Sequence, residues 1–186
     1  MKSRILAVAL ALCALTVSSA MAQSSLGLRS LGVAVGFVSP ENLDGTFSFG
    51  VFADHGTIAP HIGLESRIDY WGWSESAFGA ETSVSDIAVG ARGKYYFSVV
   101  NSPIRPFAGA GLGMHFINAK VSFPAQGGFP AMSIEDSSTK LGLDLGGGLA
   151  MPVAPRTELL GEIWYGVISD ISQFSFRVGM SRKLGS

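Results

Sequence analysis

The sequence predicts an all-β fold, an eight-stranded antiparallel up-and-down transmembrane β-barrel, and three observations carry that expectation. First, between Ser30 and Leu184 apolar residues alternate with polar or small ones in eight separate runs, each long enough to cross a bilayer as a strand. The run Lys140–Leu149 shows it best: leucine holds most odd positions, and charge or glycine holds the even ones. Period two sends alternate side chains to opposite faces of a strand. Second, the minor face is glycine-rich and charge-bearing while the other is continuously apolar, the polarity of a sheet with lipid outside. Third, the chain has 24 glycines and 47% apolar residues. Beyond residue 22 it nevertheless has no apolar run near the ~18 residues of a helical span. A barrel reconciles these facts, because each strand gives only half its residues to lipid.

The first strand is expected at Ser30–Ser39, with Leu31, Val33, Val35 and Phe37 outward and Gly32, Ala34 and Gly36 inward. Pro40 ends it, and Asn42-Leu43-Asp44-Gly45 has turn chemistry. The second, Gly45–Asp54, turns Phe47, Phe49 and Val51 outward and Ser48, Gly50 and Phe52 inward. The third, Pro60–Trp73, places Ile62, Leu64, Ile68 and Tyr70 outside and Glu65, Arg67 and Asp69 inside, with Ser66 a weak point in the outer row. The fourth, Ser83–Phe97, points Ile87, Val89, Ala91, Tyr95 and Phe97 outward and Asp86, Arg92 and Lys94 inward, with Gly93 interrupting the outer row.

The fifth, Pro106–Lys120, has many small residues; Ala108, Ala110, Leu112, Met114 and Phe116 form its outer set. The sixth is the leucine run. The seventh, Arg156–Ile168, puts Glu158, Glu162 and Trp164 inside and Leu159, Ile163, Tyr165 and Val167 outside. The eighth, Gln173–Leu184, turns Phe174, Phe176, Val178 and Met180 out and Ser175, Arg177 and Gly179 in.

An even number of strands closes antiparallel and leaves both termini on one side, and closure is obligatory where no water can bond an open edge. The joints Asp54–Ala59, Ser98–Arg105 and Ala154–Arg156 are short, and Ser74–Thr82 and Val121–Ser138 are longer. The short joints read as periplasmic turns, the long ones as external loops. Tyr95, Tyr96 and Phe97 at one end, and Tyr70, Trp71 and Trp73 at the other, read as boundary aromatics.

Residues 1–22 read as a secretory signal: Lys2 and Arg4 precede the apolar stretch Ile5–Val17, and Ala20-Met21-Ala22 offers a cleavage site. Residues 23–186 are then the barrel domain. The one cysteine, Cys13, lies inside the signal, so the mature domain has no disulfide. Without Lys2 and Arg4 the 13 bases fall to 11 against 14 acids, a net charge of −3, with no basic patch fit for nucleic acid.

The inward rows collect Glu65, Arg67, Asp69, Asp86, Arg92, Lys94, Lys140, Asp144, Glu158, Glu162 and Arg177, six acids and five bases. An unpaired charge in a closed lumen is costly, so near-balance predicts cross-strand ion pairs. Eight strands enclose a space that side chains can fill, which favours a plug over a pore. Only His55, His61 and His115 could serve as general bases, and no nucleophile stands at a spacing that sets it beside one of them. No catalytic residue is therefore expected. Three scattered histidines make no metal-ligand cluster, and Gly146-Gly147-Gly148 lies within a strand rather than before a helix, so no metal or cofactor is expected.

The chain resembles the small outer-membrane β-barrel family, the OmpA/OmpX-type barrels. The resemblance covers essentially all of residues 23–186 and rests on strand count, the run Pro106-Phe107-Ala108-Gly109-Ala110-Gly111-Leu112-Gly113, and the last strand. There Arg177, Gly179 and Leu184 match the family's terminal signal for the barrel-assembly machinery, while Arg182 stands where a hydrophobic residue is usual. The resemblance implies an outer-membrane location, contact with membrane lipid, assembly by that machinery, and a monomer. It implies a structural or surface-interaction role exercised through loops 74–82 and 121–138, the latter carrying Phe123, Phe129, Ala131, Met132 and Ile134. Some barrels of this size act on lipid A, and His115 is the base such chemistry would use. The opposite inside-outside polarity would make the chain a soluble lipocalin-like carrier of an apolar ligand. Eleven charges over eight strands are sparse for a solvated face.

Overall fold

The computed structural model describes residues 25–77, 79–125, 130–169 and 171–185. Eight strands fill it: β1 (Ser25–Pro40), β2 (Thr46–Ala59), β3 (Ile62–Ala77), β4 (Ala80–Tyr96), β5 (Arg105–Phe123), β6 (Met132–Ala154), β7 (Thr157–Ile168) and β8 (Ile171–Lys183). Each pairs antiparallel with its sequence neighbours, and β1 pairs with β8 from Ser30↔Lys183 to Pro40↔Gln173, closing the barrel. The signal expected over residues 1–22 lies outside the described residues, as does Phe129.

The two faces carry the expected chemistry. Leu141, Leu143 and Leu145 are 63%, 58% and 65% exposed on the outer wall, while Trp164 and Lys94, at 1% and 2%, are enclosed. The soluble-carrier alternative needs the reverse and is excluded by this polarity. Glycines let the lumen take large side chains. A Cβ on Gly146 would run into the Trp164 ring, and one on Gly32 into the Phe52 ring.

Several boundaries differ from expectation. The segments 74–82 and 121–138 are strand for most of their length, since β3 runs to Ala77, β4 starts at Ala80, β5 runs to Phe123 and β6 starts at Met132. Their alternation does not stop; it changes sign. Below Phe116 and Thr139, a cross-strand pair, the outer face is apolar. Beyond it the outer positions are Asn118, Lys120, Ser122, Ser133, Glu135 and Ser137. The axis-side positions become the apolar pairs Val121↔Ile134 and Phe123↔Met132.

The β3–β4 hairpin repeats this: above Tyr70↔Ile87 the outer pairs are Gly72↔Ser85 and Ser74↔Ser83, and Trp73↔Val84 is on the axis side. A change of outer solvent from lipid to water at that level would produce this reversal. Trp71 is buried inside and Trp73 half-buried, so of the three aromatics expected as a girdle there only Tyr70 faces out, packed on Phe49 at 5.2 Å. Tyr96 likewise turns inward against Phe107 at 5.5 Å, whereas Tyr95 and Phe97 stay outside, 5.1 Å apart. His55 lies within β2 rather than in a turn, and His61 is the left-handed turn residue (φ 64) before β3.

Candidate functional site: a charged lumen and a water-side hairpin

Alternation along β3 aims Glu65, Arg67 and Asp69 at the axis one above another, and β4, β6, β7 and β8 supply partners at matching heights. Arg67 grips Asp69 with two hydrogen bonds, Nε to Oδ2 at 2.5 Å and Nη2 to Oδ1 at 2.9 Å, and its Nη1 donates to Glu65 at 3.2 Å and Glu162 at 3.4 Å. Lys94 Nζ donates to Glu65 Oε2 at 2.5 Å and Glu162 Oε1 at 2.6 Å. Arg92 donates Nε and Nη2 to Asp144 Oδ2 at 3.1 and 2.7 Å and lies 3.9 Å over the Trp164 ring. Trp164 Nε1 in turn donates to Glu162 at 3.3 Å. Arg177 holds Nη1 2.8 Å from Asp69 Oδ2, at an angle that makes no hydrogen bond.

Glu65, Asp69, Asp144 and Glu162 thus balance Arg67, Arg92, Lys94 and Arg177 in one network of four acids and four bases. Charges taken from water are tolerated only with such pairing. The remaining three inward charges sit apart from it. Asp86 accepts from His115 Nδ1 at 2.7 Å in a separate buried pair. Glu158 bonds Arg105 at the rim carrying the chain termini. Lys140, half-buried opposite His115, joins no ion pair among the described residues.

Sequence reasoning missed the Asp86–His115 pair, although parity could have found it. Even positions on β4 and odd ones on β5 face the axis, and Asp86 is diagonal to His115 through the Ala88↔His115 register. It also missed a lipid-facing hydrogen bond, His55 Nε2 to Ser66 Oγ at 2.7 Å. Lys94 is further flanked by the Phe107 ring at 4.8 Å. No hydroxyl hydrogen-bonds His115, and no group of three metal-ligating side chains occurs among the described residues. Cavities of about 20 and 10 Å³ lie inside the lumen, each with room for about one water molecule.

Outside the lumen the prominent feature is the β5–β6 hairpin. β6 pairs with β5 along residues 132–150 but with β7 only from Gly142 onward, so residues 132–141 have a free backbone edge. Phe123, Met132 and Ile134 are exposed on its axis-side face.

A family model described as "Outer membrane protein beta-barrel domain" matches residues 7–183. No curated protein matches the chain in sequence. Among solved structures, Neisserial surface protein A is 15% identical with a TM-score of 0.67, covering 87% of this chain and 100% of its own. A major outer membrane protein of Thermus thermophilus is 15% identical with a TM-score of 0.60, covering 85% and 100%. Ail, the attachment invasion locus protein of Yersinia pestis, is 16% identical with a TM-score of 0.53, covering 84% and 97%. Ail has also been solved with the heparin analogue sucrose octasulfate. At such identities the likeness is one of fold.

Proposed function

The chain belongs to the outer membrane protein β-barrel family, and from that premise we propose that it is a monomeric surface-interaction barrel whose lumen is plugged and whose binding face is the β5–β6 hairpin. The observation that carries the surface role is the exposed apolar cluster Phe123, Met132 and Ile134 on a hairpin whose outer face is already polar. Apolar side chains held out in water beside an unpaired strand edge suit an extended protein segment, which adds backbone hydrogen bonds along the edge. The short turns and both termini face the periplasm, and the hairpin faces the cell exterior.

A sulfated polyanion fits poorly. The external ends of β3–β6 carry Glu75, Glu81, Glu135 and Asp136 against Lys120 and Lys140. Transport fits poorly as well, because around the ion-pair network the cavities measure about 20 and 10 Å³. Lipid A chemistry would need a nucleophile beside Nε2 of His115, the nitrogen that Asp86 leaves free, and no hydroxyl hydrogen-bonds that ring among the described residues.

Immobilised extracellular proteins are screened against the refolded barrel and against F123S/M132S/I134S. Binding by the parent but not the triple variant, with heat-modifiable gel mobility unchanged, supports the role. Equal binding by both, or none by either, overturns it.

A further inference from the structure

The lipid-facing wall carries a dent whose rim ends in a basic residue. One continuous cross-strand row, Thr157–Arg182–Leu31–Ala53–Ser66–Ala91, runs over six strands. Its middle is low, because Ala53 and Ser66 are small. Met180, Val51 and Ile68 overhang it from the neighbouring row, and together they wall an apolar groove of about 770 Å³. That volume falls within the range of about 300–1,000 Å³ for ligand clefts.

The groove does not end in apolar residues. Arg182, at the position where the terminal strand usually has a hydrophobe, forms part of it. Lys183 follows on the opposite face of β8, since it pairs with the inward residue Ser30, so Arg182 is the basic side chain at the groove's rim. Glu158, paired in register with the neighbouring Ser181, is engaged by Arg105. Ser66 at the groove floor is quenched by His55, so the floor presents no unpaired polar group to an acyl chain.

We infer that this groove is a binding site for an anionic phospholipid of the periplasmic leaflet, with an acyl chain lying over Ala53 and Ser66 and the phosphate held by Arg182. An arginine this close to the strand end lays its stem along the apolar wall and lifts its guanidinium to headgroup depth. Each basic side chain near an anionic headgroup level contributes about fivefold in affinity. The site rests on the outer-membrane assignment and is independent of the surface role.

The full-length mature chain is refolded into nanodiscs holding equal phosphatidylglycerol and phosphatidylethanolamine. It is then transferred to detergent, and the retained lipid is counted by native mass spectrometry. The parent is expected to keep phosphatidylglycerol preferentially. R182Q should lower that retention about fivefold, K183Q on the opposite face of the strand should leave it unchanged, and A53L/S66L should lower retention of both lipids. Heat-modifiable mobility separates loss of the site from loss of the barrel. If A53L/S66L does not fold, a dihexanoyl phosphatidylglycerol that is retained less than the dioleoyl form reads the groove instead. Equal retention of the two headgroups, an unaffected R182Q, full competition by inorganic phosphate, or a dimer that covers the groove would each overturn the inference.

Discussion

Lys94 shows how tightly each lumen residue is specified. It bridges Glu65 and Glu162 through one ammonium group, enclosed by the Phe107 ring. Removing it in Lys94→Met leaves two carboxylates facing each other, and breaking a buried pair costs about 3–5 kcal/mol. Urea unfolding in lipid vesicles should show a loss of that order; an unchanged midpoint would mean the carboxylates are solvated. Steric specification is as sharp at Gly146, where Val would drive into Trp164, whereas a Cβ on Gly161 meets nothing within 4 Å. Gly146→Val should therefore cost about 1–3 kcal/mol, as overpacking does, and Gly161→Ala far less in the same assay. The presence of charge at these inward positions was legible from parity alone. Who pairs with whom was not, because partners such as Arg92 and Asp144 lie 52 positions apart and meet only once the register and barrel closure are fixed.

At the scale of whole strands, membership was easy to read and length was not. The leucine run identified the core of β6, but the strand starts at Met132, because an antiparallel hairpin continues wherever its backbone pairs, in lipid or in water. What changes is the solvent outside, and the sequence records that as a sign reversal easily mistaken for a loop. The reversal makes a paired prediction. Leu143→Arg on the outer face within the membrane should destabilise by about 2–4 kcal/mol, while Ser133→Arg on the same face of the water-side hairpin should stay within about 0.5 kcal/mol. Similar costs at both positions would place the bilayer boundary elsewhere. A second element-level contact joins the external turns: Glu41 accepts from Ser172 Oγ at 2.8 Å and from Ser172 N at 3.2 Å. Those side-chain and backbone hydrogen bonds hold the Glu41 carboxyl below its usual value of 4.5. A depressed acid stabilises above its unfolded pKa, and the contribution disappears as pH falls through the folded one. Amide exchange at Ser172 should therefore speed up, beyond its intrinsic pH dependence, only on acidification below the ordinary glutamate range. The change should be absent in Glu41→Gln.

For the whole molecule, balance matters more than any single ion pair. The network holds four acids and four bases, so neutralising one member leaves a net buried charge, and neutralising an opposite pair does not. In K94M/E162Q the remaining Glu65, Asp69 and Asp144 still match Arg67, Arg92 and Arg177. Replacing a buried pair together is often nearly neutral, whereas breaking one is not. The double variant should thus recover most of the stability lost by K94M, a coupling measurable as a double-mutant cycle. It should also stay electrically silent in planar bilayers, since Met and Gln keep the space occupied around Trp164 and Phe107. A double variant as unstable as K94M would show that the ion pair itself, rather than neutrality of the enclosed column, holds the barrel. Steady conductance in the unaltered chain would overturn the plugged lumen and leave the surface role to its own test.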